Sequence, residues 1–426
     1  MTSDPARLGA VAARDAIRAG TLDPAALMEA CLARIAARDA VVRAWDFLDP
    51  AQARAARPGR GLLSGLPVGV KDVIETADMP TACASAIHAG RRTGRDAACV
   101  AALRGAGGVV PGKTATTEFA GYHPTVTRNP HNPAHTPGGS SSGSAAAVAD
   151  YQVPLAIGTQ TAGSVLRPAA FCGVVGFKPS FGVIDTGGLF HFSASLDTLG
   201  VFARSVADAG LGVAALSGWS ALAEVRPAAP ARVRLIPAPS WHLASDAGRA
   251  ALMEAAGRIA DAGVAVDDSP LPGDMADALA ALADAQALIQ PYEGRRALAW
   301  ERTHHADRLS PALRAAFDAM DAVPFEDYRA ARQLQSAWQH RIAALMAPDE
   351  VWLTLPAAGE APEGTATGDP VFNRVWTLLH LPAISLPHGH GPAGLPLGVQ
   401  MVGRHDATLL AHAAWLEPRL TPAPVP

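Results

Sequence analysis

The sequence has few cysteines, little charge and few aromatic residues. Of its 426 residues, four are cysteine, 17% are charged and 5% are aromatic. The cysteines form no C-x-x-C pair and are far apart, at Cys31, Cys83, Cys99 and Cys172. This spacing argues against a disulfide framework and against a zinc site. We therefore expect reduced thiols and a cytoplasmic protein.

The sequence also lacks the features of a membrane or nucleic-acid-binding protein. Charged residues interrupt the N-terminal segment, which leaves no room for the ~7–15-residue apolar core of a signal peptide. No run of about 18 apolar residues, the length needed to span a bilayer, occurs anywhere. The net charge of −4 argues against a basic nucleic-acid-binding surface. We expect a small-molecule substrate, with neither nucleic acid nor a membrane as a partner.

Apolar residues are abundant, and they occur in short runs that alternate with helix signals. The hydrophobic fraction is 49%, which suits a large core. Alternation of strands and helices predicts an α/β fold. We expect a single large domain over residues 1–426, with a central mixed, mainly parallel, twisted sheet covered by helices. Residues 272–345 are predicted to form a mostly helical insertion within it.

One lysine lies inside an apolar, strand-like run. Val68, Val70 and Val73 flank Lys71 and predict that it is buried. A free lysine has a pKa of ~10.4, so nearly all of it is protonated at pH 7. Burial can lower that pKa by ~3 units. A buried Lys71 would then be a base, whereas an ordinary lysine would be solvated.

Two segments rich in glycine and serine follow this lysine. Residues 138–144 lack the lysine of a phosphate-binding Walker A loop. They contain G-x-S-x-G with Ser141 at its centre, but the nucleophile elbow needs a strand directly before it, and the preceding residues are rich in proline. The second segment, Thr161–Ser164, comes directly before a predicted helix. Its N–H groups could form an oxyanion hole beside a nucleophilic Ser164, or Ser164 could simply cap the helix.

Three motifs in order make the sequence resemble the amidase signature family of Ser-Ser-Lys hydrolases. They are Gly-Val-Lys71-Asp, the block from Asn132 to Ser144, and the block from Gly158 to Ser180. The detailed similarity covers residues 60–205, the expected catalytic signature core, and a looser similarity continues to the C-terminus.

The resemblance implies the amidase signature fold and hydrolysis of an amide bond through an acyl-enzyme. Ser164 aligns with the family nucleophile, Ser140 with a bridging serine at a cis peptide bond, and Lys71 with the base. The oxyanion hole would consist of the backbone N–H groups of Thr161, Ala162, Gly163 and Ser164. No metal or other cofactor is expected, and we expect a homodimer because many relatives are homodimers.

The sequence departs from the family pattern beside the nucleophile. Ala162 stands where glycine is common, and Gln160 stands where many members carry aspartate. Malonamidase-like members share Gln160 and an arginine in the position of Arg167. Arg167 could hold a substrate carboxylate bidentately, or it could tie the helix start to the loop. Ser141, Tyr122 and Trp376 are predicted as further substrate contacts. The alternative is that these side chains only pack in the core.

The sequence leaves the substrate open. A carbamate or urea-type hydrolase, acting on an allophanate- or urethane-like compound, would use the same triad as an amidase. The chain could also be the glutamine-hydrolysing subunit of a tRNA amidotransferase, which would need a partner chain. A catalytically silent binding protein is disfavoured because the triad is intact.

Overall fold

Strands and helices are described for residues 4–57, 59–121, 123–237, 239–271 and 273–426 of a computed structural model. The strands are β1 (Trp45–Leu48), β2 (Val68–Lys71), β3 (Gly112–Thr114), β4 (Leu155–Gln160), β5 (Val175–Lys178), β6 (Thr198–Ala203), β7 (Arg232–Leu235), β8 (Ala265–Asp267), β9 (Glu350–Thr354), β10 (Ala383–His390) and β11 (Pro396–Val402). The helices are α1 (Ala10–Arg18), α2 (Pro24–Val42), α3 (Pro50–Ala55), α4 (Ala98–Gly105), α5 (Ser142–Ala149), α6 (Leu166–Cys172), α7 (Val206–Ser217), α8 (Asp246–Asp261), α9 (Gly273–Ala297), α10 (Ala299–His305), α11 (Pro311–Asp321), α12 (Phe325–Leu345), α13 (Arg374–Leu378) and α14 (Asp406–Leu416).

The eleven described strands form one mixed sheet, in the order β1-β3-β2-β4-β6-β5-β10-β11-β9-β7-β8. This confirms the expected single domain with a large mixed sheet, but not the predominance of parallel pairs. Parallel pairing occurs between β2 and β3, β2 and β4, β7 and β8, and β7 and β9, whereas the centre of the sheet is antiparallel. The alternation of strands and helices predicted mainly parallel pairs. It did not identify neighbours such as β10 and β11, which are joined by a short turn and are therefore antiparallel.

Helices pack on both faces of the sheet. The two faces are visible on β6, where Val201 belongs to an apolar cluster with residues of α7 and α14. The next residue, Phe202, belongs to a different cluster with residues of α5 and α6. Successive side chains of a strand point to opposite faces. A sheet with two apolar faces needs helices on each of them.

Several helices begin with a side chain that accepts a hydrogen bond from a first-turn N–H group. Asp23 accepts a hydrogen bond from Ala25 N at the start of α2, where Pro24 is the first helical residue. Ser205 caps α7 and Ser245 caps α8 in the same way. Such caps are favoured because the first turn of a helix lacks intrahelical acceptors.

The segment 273–345 folds into four helices, α9 to α12. Helices α9 and α13 contribute residues to one apolar cluster, which includes Leu282, Ile289 and Trp376. The four cysteines are buried free thiols. Among the described helices, none has the length and apolarity that crossing a bilayer requires.

Asp150 joins the N-terminal helical region to the sheet. Its side chain is fully buried, and its Oδ1 accepts hydrogen bonds from Arg34 Nη2 at 2.8 Å and from Arg38 Nε at 3.0 Å. Its Oδ2 accepts a third hydrogen bond from Gln152 Nε2. Removing one member of a buried charge cluster leaves the others unpaired.

We expect Asp150→Ala to lower the free energy of unfolding by about 2–3 kcal/mol, less than for a fully buried pair because both arginines are partly exposed. Urea denaturation of the full chain measures the change. The matched control is Glu29→Ala, which removes the exposed partner of Arg54 and should leave stability nearly unchanged. Equal stabilities for the two variants would contradict the assignment of Asp150 as a structural anchor.

Candidate active site

Lys71 lies at the C-terminal end of β2, completely buried. Its Nζ lies 2.7 Å from Ser140 Oγ and 2.7 Å from Thr159 Oγ1. The parallel register of β2 and β4, in which Val70 pairs with Ile157, brings the ends of both strands together. Lys71 therefore faces two hydroxyl groups.

Burial lowers the pKa of Lys71 to about 7, and the Asp197 carboxylate counteracts this shift only in part. The neighbouring buried lysine Lys113 differs, because its Nζ donates to Asp72 Oδ1 at 3.2 Å. Lys178 is also buried, and burial lowers its pKa to about 7, but its Nζ donates to the carbonyl of Leu381 at 2.6 Å. Lys113 Nζ also donates to Thr81 Oγ1 at 2.8 Å. Of these three lysines, Lys71 is the one whose hydroxyl partner, Ser140, lines the candidate cavity.

Ser140 follows a cis peptide bond between Gly139 and Ser140, as the family resemblance implied. Its side chain is 4% exposed and lines a cavity of about 280 Å³. Its carbonyl accepts a hydrogen bond from Thr117 N at 3.3 Å. Ser140 thus has Lys71 on one side and the cavity on the other.

The turn at residues 161–164 joins β4 to α6 and lines the same cavity. Its four N–H groups have no hydrogen-bond acceptor within the described ranges, whereas the next two, of Val165 and Leu166, donate to Gln160 Oε1. The hydroxyl of Ser164 is also unpaired within those ranges, and Ser164 is half-buried. Unpaired N–H groups beside a free hydroxyl are what an oxyanion hole next to a nucleophile requires.

Side chains from distant segments hold the carbonyl groups of this turn. Thr377 Oγ1 donates to Ala162 O at 2.7 Å, and Gln286 Nε2 donates to Thr161 O at 3.1 Å. Gln160 Nε2 donates in turn to Thr377 Oγ1 at 2.9 Å. An aspartate at position 160 could accept from Val165 N but could not donate to Thr377, since a carboxylate has no N–H group. Because Thr377 and Gln286 bind these carbonyl oxygens, the conformation of the turn is fixed while its N–H groups remain available to a ligand.

Asp197 fixes the turn from a further loop. Thr161 Oγ1 donates to Asp197 Oδ1, and Asp197 Oδ2 accepts from the N–H groups of Phe192 and Ser193. His191 Nδ1 lies 3.7 Å from the same carboxylate, and contact with this carboxylate raises the pKa of His191. A single buried carboxylate thereby ties the loop at residues 191–197 to the candidate oxyanion turn.

Arg167 is buried beside the turn and is held by backbone carbonyls. Its Nη2 donates to Gly139 O and its Nε to Thr367 O, both at 2.6 Å. Nη1 has no partner in the described part of the chain. The structural alternative for Arg167 is therefore observed. The bidentate hypothesis needs correction, because only one of the two terminal nitrogens remains for a ligand.

Two of the other predicted substrate contacts lie away from the cavity. Ser141 Oγ donates to Thr159 O at 3.1 Å and accepts from Thr159 N at 3.2 Å, so it joins α5 to β4. Trp376 packs edge-on against Trp352, with ring centroids 5.8 Å apart, in the apolar cluster described above. Both predictions are corrected, since these side chains are occupied by internal contacts. Tyr122 lies outside the described residues.

The described residues contain no cluster of three or more His, Cys, Asp or Glu suited to a metal ion. His131 and His135 have the i, i+4 spacing of metal ligands on a helix, but their rings contact different carbonyls. His131 Nε2 lies 2.9 Å from Cys172 O, and His135 Nδ1 lies 2.7 Å from Ala361 O. These histidines join loops.

Sequence reasoning missed several residues that shape the site. Thr159, Asp197, Gln286 and Thr377 contact Lys71 or the turn, and Arg374 lines the cavity. Most of them are polar residues within apolar segments, which is a usable signal because buried polar groups need partners. The partner itself could not be inferred, because it lies far away in the sequence.

Comparison with known proteins agrees with the fold. The Amidase family profile matches residues 26–410. The chain therefore belongs to the amidase signature family, and its reaction class is hydrolysis of carbon–nitrogen bonds. This confirms the resemblance inferred from the three motifs.

Individual relatives extend over nearly the whole chain. A glutamyl-tRNA(Gln) amidotransferase subunit of Anaeromyxobacter sp. (strain K) is 33% identical, over 99% of this chain and 98% of the relative. The solved structure of 6-aminohexanoate cyclic dimer hydrolase complexed with substrate is 26% identical, with a TM-score of 0.83 and 98% of each chain covered. Native peptide amidase from Stenotrophomonas maltophilia is 28% identical, with a TM-score of 0.79, and 98% of this chain and 99% of that one are covered.

The hydrogen bond from Thr377 to the turn can be tested with an isosteric variant. Thr377→Val keeps the volume but leaves Ala162 O without its donor, which costs about 1–3 kcal/mol for a buried group. We expect kcat for a hydrolysed amide to fall by about tenfold while KM changes little, because the turn loses its alignment. Steady-state kinetics on the purified variant measure both constants. An unchanged kcat would show that the turn keeps its shape without Thr377.

Proposed function

We propose that the chain hydrolyses the amide bond of a small substrate through an acyl-enzyme on Ser164, with Lys71, Ser140 and Ser164 as the catalytic triad. One observation carries this proposal. A buried lysine whose pKa burial lowers to about 7 lies 2.7 Å from a serine hydroxyl that lines the same cavity as Ser164. That arrangement supplies a base, a proton relay and a nucleophile without histidine.

Acylation begins with two proton transfers. Neutral Lys71 takes the proton of Ser140 Oγ, and Ser140 Oγ takes the proton of Ser164 Oγ. Ser164 Oγ then forms a bond to the carbonyl carbon of the amide, and the carbonyl oxygen becomes an oxyanion. The N–H groups of Thr161 to Ser164 stabilise this charge, since they have no other acceptor among the described residues.

Release of the amine reverses the proton path. Ser140 passes a proton to the leaving nitrogen, the carbon–nitrogen bond breaks, and Ser140 regains its proton from Lys71. Water then attacks the ester carbon of the acyl-enzyme after giving a proton to the same relay. The carboxylic acid leaves, and Ser164 regains its hydroxyl proton. The products are a carboxylate and ammonia or an amine.

A second candidate function is the glutamine-hydrolysing component of a tRNA amidotransferase. The supporting observation is the 33% identity to the amidotransferase relative over 99% of this chain. A component of that kind works together with partner chains, so it would hydrolyse glutamine poorly when it is purified alone. Rapid hydrolysis of glutamine or another amide by the chain purified alone would favour the independent amidase.

The proposal includes a cytoplasmic location and a homodimer. Four buried free thiols support a reducing compartment. The homodimer is carried over from the family resemblance.

Replacement of the nucleophile gives a direct test. We expect Ser164→Ala to lower the rate of ammonia or amine release by at least about three orders of magnitude, without loss of the folded state, because the methyl group fits where the unpaired hydroxyl was. The substrates are neutral aliphatic and aryl amides, glutamine, allophanate and a carbamate. Circular dichroism checks the fold.

The matched control is Ser141→Ala. Among the described residues its hydroxyl forms hydrogen bonds with Thr159 alone, so turnover should stay within about tenfold of the native rate. Loss of activity in Ser141→Ala together with normal turnover in Ser164→Ala would reverse the assignment and favour the nucleophile elbow.

The pH dependence tests Lys71. Below pH 7 the amine is protonated and cannot act as a base, so kcat/KM should rise about tenfold per pH unit up to pH 7 and level off above it. The pH–rate profile of the native chain from pH 5 to pH 9 measures this step. Lys71→Met should be nearly inactive, with no step near pH 7. A step that persists in this variant would assign the titration to another group.

A further inference from the structure

The candidate active-site cavity carries two arginines and lacks any acidic lining residue among the described ones. One is Arg167, described above, and the other is Arg374, the first residue of α13. Polar, uncharged Gln286 and Gln290 lie in the same lining. A small cavity with two guanidinium groups favours a ligand that carries negative charge.

Each arginine has a nitrogen without a partner. Arg167 Nη1 and Arg374 Nε are buried and make no hydrogen bond in the described ranges. A Cβ added to Gly163 would lie 3.1 Å from Arg167 Nη1, so this nitrogen lies directly against the candidate oxyanion turn. Buried donors that the protein does not satisfy are available to a ligand.

Among the described residues, the ion-pair partner of Arg374 is the distant and exposed Asp369. Arg374 Nη2 lies 3.7 Å from Asp369 Oδ1, and the Asp369 side chain is 58% exposed. Both groups also influence Arg167. Burial lowers the pKa of Arg167, the charge of Asp369 opposes this shift, and the charge of Arg374 adds to it. The three groups together carry a net charge of +1, which matches one monoanionic carboxylate better than a doubly charged phosphate.

We propose that Arg374 is a specificity-determining residue that binds, together with Arg167 Nη1, a carboxylate on the substrate. The preferred substrates are then short-chain acids that bear an amide, with the carboxylate at the two arginines and the amide carbonyl at the turn. This inference rests on the proposed amidase function of the same cavity. Arg167 alone cannot bind a carboxylate through both terminal nitrogens, because its Nη2 donates to Gly139 O. In this proposal Arg374 supplies the second donor.

Asp369 has a defined place in this arrangement. Its carboxylate competes with the substrate for Arg374, and its Oδ1 also accepts a hydrogen bond from Val371 N at 3.0 Å. An asparagine keeps that acceptor and removes the charge. Arg374→Gln and Asp369→Asn should therefore change the affinity for an acidic amide in opposite directions.

The test compares two pairs of substrates that differ in charge but hardly in size. These are malonamate against malonamide, and succinamate against succinamide. We expect Arg374→Gln to raise KM for the better acidic amide by about tenfold or more, with KM for its neutral partner within about twofold. Asp369→Asn should lower KM for the acidic amide. The matched control is Arg329→Gln, an exposed arginine paired with Glu326 on α12, which should change neither.

A binding measurement separates this inference from the proposed reaction. Calorimetry with Ser164→Ala, and with Ser164→Ala combined with Arg374→Gln, measures binding of malonamate and succinamate without turnover. Loss of binding only in the double variant supports Arg374 even if the native chain hydrolyses neither compound. Equal binding by both variants, equal KM changes for acidic and neutral amides, or tighter binding of inorganic phosphate than of either acid would overturn the proposal. Thermal unfolding checks that Arg374→Gln is folded.

Discussion

The structure around the site depends on one constraint, the burial of a lysine amine among hydroxyl groups. Moving a charged amine out of water costs free energy unless a carboxylate lies beside it. Burial therefore favours the neutral amine over the protonated one. Lys113 and Lys178 show the other outcomes available to a buried lysine, an ion pair with Asp72 and hydrogen bonds to backbone carbonyls. Within the described ranges, the hydrogen-bond partners of Lys71 are the hydroxyls of Ser140 and Thr159. Burial of the Lys71 amine costs folding free energy. The same burial lowers its pKa to about 7, so the amine can act as a base near neutral pH.

The turn before α6 also contains buried polar groups that lack partners in the described part of the chain. Two of its carbonyls accept hydrogen bonds from Gln286 and Thr377, and the Thr161 hydroxyl donates to Asp197. The N–H groups of the turn are left unpaired in the described residues. Buried backbone groups are normally paired, so a cluster of unpaired N–H groups in a turn that lines the cavity lowers the stability of the fold. An anionic transition state would remove that cost at the moment of reaction.

Sequence reasoning predicted the α/β class, the mixed sheet, the family and the three triad candidates. These features depend on local patterns. Lys71 lies in an apolar strand, and Ser140 and Ser164 lie in short motifs of characteristic composition. The antiparallel centre of the sheet depends on which strands pair, and the alternation of strands and helices does not specify that. The roles of Thr377 and Asp197 could not be predicted, because their partners belong to other segments. The predicted substrate contacts at Ser141 and Trp376 are wrong because their side chains make internal contacts, and the sequence pattern does not show where a side chain points.

The parts of the site come from almost the whole length of the chain, from Lys71 to Arg374 and Thr377. No fragment that stops before α13 contains both the turn and the threonine that holds it. Bringing such distant segments together must overcome the loop-closure entropy of the intervening chain. A chain in which α13 is not yet packed would therefore carry Lys71, Ser140 and Ser164 without the Thr377 hydrogen bond that holds the turn.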